Sequence, residues 1–292
     1  MSESVASLRH KIASAEELES VVRSMKTMAS LNINQYEHAV HSLEDYYRTV
    51  QLGLAACFQQ NNAPNFVSNQ HRQKAPAIGV IVFGSDQGLV GQFNEVMVEF
   101  VVDTLAKLPA NKIVWTVGER IQSRLTDTKL MLEEGFLLPN SINTITSLVS
   151  KILIEMEKQR EQGAIDQVYL FYHRPQSGSI YTPVSQQLLP LDNAWQDTLK
   201  GIPWPTNNLP EVMPNPDKTL RALVREYLFV SLFKACAESL NSENASRLAA
   251  MQRAEKNIDE LQENLNRTFH RLRQSGIDAE LFDVLSGFEA LN

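Results

Sequence analysis

From Ser4 to about Leu54 the chain has no proline and a single glycine, Gly53, and its apolar residues recur every seven positions. Leu8, Ala15, Val22, Ala29, Tyr36, Leu43 and Val50 make one row. Val5, Ile12, Ile33, Val40, Tyr47 and Leu54 make a second, broken by Glu19 and Lys26. A seven-residue repeat sustained over so many turns predicts a coiled-coil seam rather than a simple amphipathic face. The far end behaves similarly. After Pro216 there is no further proline, and Met251, Ile258, Leu265 and Leu272 stand seven apart, with Ala254 and Leu261 between them. Beyond Ser275-Gly276, the residues Ile277, Leu281, Val284, Leu285 and Phe288 resume an apolar stripe in a shifted register. A glycine in a helix costs about 1 kcal/mol relative to alanine, so bending or fraying is expected at Gly276. Two long seams at opposite ends of one chain bury each other most economically as an antiparallel pair.

The pattern changes between them. Short runs rich in Val and Ile, at Ala77 to Phe83, Lys112 to Val117 and Gln167 to Tyr172, alternate with helical patterns at Asn94 to Lys107, Gly118 to Leu125 and Ile142 to Gln162. Strands alternating with helices predict a parallel sheet covered by helices, a Rossmann-like α/β domain. The expected fold class is therefore α/β, with a long antiparallel two-helix coiled coil from both termini. The expected segments are 1–60 for the first helix, 76–192 for the α/β domain, 193–215 for a proline-bearing tether and 216–292 for the last helix. Pro203, Pro205, Pro214 and Pro216 mark that tether, and the polar stretch Asn61 to Ala75 is expected as a loop.

Composition narrows the function. A chain of 292 residues with 43% apolar and 21% charged residues can bury a core, and its formal net charge of -7 argues against nucleic acid and against an anionic membrane as partners. The opening segment MSESVASLRHKIAS has no apolar core of signal-peptide type, and no stretch approaches the ~20 apolar residues of a membrane span, so the expectation is a soluble chain, with docking on something in a membrane left open. Cys57 and Cys236 stand alone in apolar helical context, which suits two core residues rather than a disulfide or a metal site.

Candidate chemistry is sparse. The stretch GVIVFGSDQGLVGQFNE, Gly79 to Glu95, reads as strand, glycine turn and helix start, the build of a phosphate-binding loop. Yet Gly84, Gly88 and Gly91 follow neither the dinucleotide nor the Walker spacing. No lysine or arginine lies in the turn, and Asp86 would repel a phosphate. Six scattered histidines, among them His38 and His41, form no ligand set, and the adjacent pairs Glu16-Glu17 and Glu133-Glu134 point apart on a helix. No catalytic, cofactor or metal residue is assigned. The residues leave two classes open: a coiled-coil scaffold whose α/β domain binds a partner, and a nucleotide-binding enzyme using the Gly84 turn.

The opening LRHKIASAEELESVVRSMKTMAS, Leu8 to Ser30, and the later SENASRLAAMQRAEKNIDELQ, Ser242 to Gln262, together resemble the gamma subunit of F-type ATP synthases. GSDQGLVGQFNE is similar to that family's sequence after its first central strand, and QQLLPL, Gln186 to Leu191, falls where the family has a strand. The resemblance spans essentially the whole chain. It implies a non-catalytic shaft that penetrates a hexamer of alternating alpha and beta subunits. The α/β domain would lie beside the epsilon subunit and the membrane ring of c subunits, on the cytoplasmic face of a bacterial inner membrane. It implies no cofactor and a glycine turn that is architecture. It also assigns partner contacts by position: Arg273 and Gln274 to a loop of the upper beta barrel, Met25 to the acidic lever of beta, and Arg247 to the lower beta contact. Two departures stand out. LNINQYE, after Ser30, is uncharged up to Glu37 where the family has a basic run, and Ile277-Asp278 replaces an Ile-Thr pair. They suggest a divergent branch, such as an alternative synthase in its organism.

Overall fold

A computed structural model describes residues 4–60, 77–176, 181–191, 193–208, 210–211 and 215–289. The chain begins with helix α1 (Val5–Gln60) and continues through β1 (Ala77–Phe83), α2 (Phe93–Ala106), β2 (Lys112–Val117), α3 (Glu119–Thr126), α4 (Ile142–Glu161), β3 (Ile165–Pro175), β4 (Tyr181–Leu189) and α5 (Asn193–Lys200) to the last helix, α6 (Pro216–Glu289). It divides into two compact units, one of residues 1–30 with 247–292 and the other of residues 31–246. The expected loop at Asn61 to Ala75 lies outside the described residues.

In the larger unit the sheet runs β2-β1-β3-β4. β1 pairs in parallel with both β2 and β3, from Val80 opposite Val114 and Tyr169 to Val82 opposite Thr116 and Phe171. Both faces are covered, which is why β1 reads as an unbroken apolar run instead of alternating. Val80 and Val82 pack beneath α2 and α3 with Met97, Val101 and Ile121. Ile81 and Phe83 face the other way, into a core with α4 and with stretches of α1 and α6 that include Leu54, Leu220 and Leu232. Cys57 and Cys236 are buried free thiols in that core, and burial raises the pKa of both.

Two expectations are corrected here. The sheet is mixed, not parallel throughout: β3 turns back into β4, which pairs antiparallel along its outer side, from Pro175 opposite Tyr181 to Val168 opposite Leu189. β4 also starts five residues before the expected Gln186, and its half-exposed middle carries Pro183, a residue that an edge strand accommodates but a central one does not. Gly276 does not interrupt α6, which continues to Glu289; the space around that glycine is open, and nothing there forces a bend. The connection after β4 holds α5, whose Leu199 is buried and whose Trp195 indole donates to the Tyr227 hydroxyl at 3.1 Å.

A polar fastening joins β3 to α6 in this unit. His173 is fully buried, its Nε2 donating to the Phe93 carbonyl at 2.9 Å and its ring lying 4.2 Å from that of Phe93 and 4.8 Å from that of Tyr181. Ser242 on α6 donates its hydroxyl to the His173 carbonyl at 3.2 Å. Nδ1 of His173 has no hydrogen-bond partner among the described residues. Burial disfavours the imidazolium and pushes the pKa down to about 4. The unfolded chain therefore binds this proton more readily than the fold does. The stabilisation is complete above about pH 6.5 and is lost as pH falls from there toward 4, on the order of 3 kcal/mol. Denaturant titrations at pH 7.5 and pH 4.5 should show this acid loss in the parent chain and a smaller one in His173→Gln.

Candidate functional site

Two places in the sequence invited a function, the glycine turn and the terminal helices. At the turn, the polar groups are engaged with one another. Asn94, the second residue of α2, accepts from the Ser85 backbone N–H at 3.1 Å and donates to the Ser85 hydroxyl at 2.8 Å, and that hydroxyl donates to the Gln87 carbonyl. The Asp86 carboxylate accepts from the Glu119 N–H at 3.0 Å, which caps the start of α3. Ser246 donates to the Val90 carbonyl at 2.6 Å and so pins the turn to α6. The glycines are steric: a Cβ on Gly84 would fall inside the Ile121 side chain, and Gly91 has φ of 58°. The turn holds β1, α2, α3 and α6 in place.

The smaller unit is built differently. From α1 the seven-spaced Leu8, Ala15, Val22 and Ala29 are all buried; on α6 Met251 is buried and Ala254, Ile258, Leu265 and Leu272 are half-buried. The breaks in the second row prove to be cross-seam polar pairs. Glu19 accepts from Gln262 at 2.9 Å, and one heptad later Lys26 donates to Glu255 at 2.6 Å. Gln262 and Glu255 are themselves seven apart, counted in the opposite direction, which makes the pairing antiparallel and in register. Arg23 bridges the two, reaching both Glu19 and Glu255. The hydrogen bond from Lys26 holds the Glu255 carboxyl below the ordinary carboxylate range. Groups this exposed add little stability, but a mismatched register would leave their charges facing apolar rows, so they specify alignment. Sequence reasoning saw only interruptions at Glu19 and Lys26; the matching seven-residue gap between Glu255 and Gln262 was the available clue.

The four assigned contact residues fall at two levels of this unit. Arg273 and Gln274 are adjacent and exposed near the free end of α6, where every residue from 273 to 286 is exposed. Met25 is half-buried beside the Lys26–Glu255 pair, and Arg247 is half-buried at the other end of the unit's α6 segment. Arg247 and Arg273 are 26 residues apart on one helix, about 39 Å at 1.5 Å per residue. The structure thus groups Arg273 with Gln274 but does not bring them together with Arg247. The same unit also exposes large apolar residues, Leu18, Val21 and Met28 on α1 and Phe282 and Val284 on α6, the last two 67% and 70% exposed; of these, sequence reading names only Val284, as part of the stripe after Gly276. Leu18, Val21 and Met28 stand three and seven apart and share one side of α1, whereas Phe282 and Val284, two apart, point to opposite sides of α6. Among the described residues there is no group of three or more side chains suited to a metal ion, and no helix is long and apolar enough to cross a membrane.

The family model described as ATP synthase matches residues 4–291. The chain is 24% identical to the ATP synthase gamma chain of Brevibacillus brevis, with 99% of both chains covered, and 27% identical to that of Brucella suis biovar 1, with the same coverage. The chain belongs to the ATP synthase gamma-chain family. Its fold is that of the rotor of the Euglena gracilis mitochondrial ATP synthase, with a TM-score of 0.65 at 16% identity over 94% of this chain and 98% of that one. The central stalk of the Tetrahymena thermophila mitochondrial enzyme aligns with a TM-score of 0.56 at 23% identity, over 80% of this chain and 99% of that one. In this gamma-family chain the glycine turn is an anchor, and a paired contrast tests it. Gly84→Ala should lower stability by several kcal/mol through its clash with Ile121, whereas Gly88→Ala, with nothing within 4 Å of the added carbon, should be nearly neutral in thermal melts.

Proposed function

We propose that this chain is the turning central shaft of an F-type ATP synthase, coupling transmembrane ion flow to ATP synthesis, and ATP hydrolysis to ion pumping, within a hexamer of alternating alpha and beta subunits. The observation that carries the proposal is the in-register antiparallel pair of α1 and α6. Its polar ties, Lys26–Glu255 and Glu19–Gln262, lie across the seam, and its outward side is lined with exposed side chains free to meet a surrounding sleeve. A packed two-helix seam resists twisting better than a single helix. Solvated charges, individually weak, can favour successive angular positions without trapping any of them. The chain supplies no reacting group in this account. It acts by presenting different sides to each beta subunit in turn, and chemistry stays with the hexamer.

The partners are alpha, beta, the epsilon subunit and the c ring, and the chain sits peripherally at the cytoplasmic face of a bacterial inner membrane. Arg273 and Gln274 meet the upper barrel loop of beta, Met25 the acidic lever, and Arg247 the lower beta contact. The exposure of Arg273 and Gln274 supports the first assignment, since both can reach outward without disturbing the seam. The uncharged LNINQY stretch and Asp278 support placement in a divergent branch of the family. Reconstitution provides the test. Alpha/beta hexamers completed with the parent chain should show strong ATPase stimulation, while the chain alone shows none. Arg273→Ala or Gln274→Ala should slow turnover several-fold with assembly and melting temperature unchanged. Parent-like turnover in both variants would remove the site assignment, and failure of the parent to join hexamers would remove the rotor reading.

A further inference from the structure

We infer that a cavity on the α2/α3 face of the larger unit binds a small amphiphilic carboxylate, with its apolar part between α2 and the segment after α3 and its head on Lys112 and Lys129. This site does not depend on the shaft reading above.

The cavity has a volume of about 430 Å³, within the range of roughly 300–1,000 Å³ in which small molecules are held. It lies at the end of the sheet where β2 begins with Lys112, opposite the end that carries the glycine turn after β1. Open α/β sheets commonly take ligands at the carboxyl ends of their strands. Here that end is occupied by the mutually bonded side chains of Ser85 and Asn94. The other end is open. Val102 and Leu105 of α2 and Leu130 after α3 form apolar walls; Leu105 is buried, Leu130 half-buried and Val102 38% exposed. Ala106, one helical turn after Val102, contributes only a methyl group, which leaves room beside α2 for an apolar guest.

The polar groups at the mouth select the head of that guest. The backbone has little to offer, because the ends of both helices are already capped. The Thr104 and Leu105 carbonyls accept from the N–H groups of Lys107 and Leu108, and the Leu125 carbonyl accepts from the Thr128 N–H at 2.9 Å and hydroxyl at 2.6 Å. What remains is charged. Lys112 is half-buried, and its ammonium donates to the Leu108 carbonyl at 2.6 Å, which fixes its position and leaves two of its three N–H donors. Among the described residues the Lys129 side chain has no hydrogen-bond or ion-pair partner. Asp127 is the one acid lining the cavity, and it is exposed, so water solvates its carboxylate. A carboxylate head is acceptor-only and forms short, charge-assisted bonds to ammonium groups. A neutral head would forgo that gain, and an ammonium head would meet Lys112 at its fixed position. The volume suits one short alkyl chain or a single ring, not a two-chain lipid.

The test is calorimetric titration of the full chain with decanoate, kept below the concentration at which it forms micelles. The parent should show one saturable site. Ala106→Leu and Ala106→Trp, which fill the cavity, should weaken binding progressively. Lys129→Gln should weaken it several-fold and Lys112→Gln about tenfold, while Lys151→Gln, on exposed α4 surface outside the cavity, should bind like the parent. Decanol and decylamine should bind at least about tenfold more weakly than decanoate. Thermal melts of each variant separate loss of the site from loss of the fold; Lys129→Gln and Ala106→Leu change exposed residues and keep the test decisive if Ala106→Trp does not fold. Absence of saturable decanoate binding to the parent would overturn the site. Parent-like binding in the folded Ala106 variants would overturn its location, and equal weakening in Lys151→Gln would reduce it to net charge. Equal affinity for decanol or decylamine would overturn the carboxylate assignment.

Discussion

The smaller unit depends on one constraint: α1 and α6 must meet antiparallel in a single register. Apolar packing of Leu8, Ala15, Val22 and Ala29 supplies the attraction, but rows spaced by seven can slide by seven and still find apolar partners. Glu19–Gln262 and Lys26–Glu255 remove that freedom, since a one-heptad slip would set Glu19 opposite Glu255. The polar pairs are modest in energy and decisive in alignment. The exposed surfaces inherit their positions from this choice, including the level at which Arg9 meets Phe269 and the end at which Arg273 and Gln274 emerge.

In the larger unit the equivalent constraint is fastening. A sheet covered on both faces would hold together through Val80, Ile81, Val82 and Phe83 alone. Ser242 on the His173 carbonyl and Ser246 on the Val90 carbonyl add directional ties between β3, the glycine turn and α6. A glycine turn that resembles a phosphate cradle in sequence is here a hub where four elements converge, and its side chains hydrogen-bond one another. The distinction bears on the function proposed above, in which the chain works through surfaces that meet partners.

How much of this was legible in the sequence depended on periodicity. The heptad row identified seven residues as inward-facing; Leu8, Ala15, Val22, Ala29, Tyr36 and Val50 are buried, and Leu43 is half-buried. β1 and β2 were readable to the residue because strands covered on both faces are written as continuous apolar runs. β4 was harder: an edge strand with one wet face, carrying Pro183, Ser185, Gln186 and Gln187, has the composition of a loop. The polar pairs of the seam were visible only as faults in a pattern, because partners more than two hundred residues apart in the chain leave no local signature. Arg273, Gln274, Met25 and Arg247 came from the family resemblance and not from any physical signal, since an exposed arginine on a helix reads the same with or without a partner.

The register of α1 against α6 is the claim most directly open to measurement. Cysteine pairs introduced as E19C/Q262C and K26C/E255C, each also carrying C57S and C236S, would be oxidised mildly and analysed for intrachain disulfides. The account predicts rapid bridging in both matched pairs and little in the mismatched pair E19C/E255C, with the far-ultraviolet helical signal unchanged. Efficient bridging of E19C/E255C, with the matched pairs remaining reduced, would contradict it.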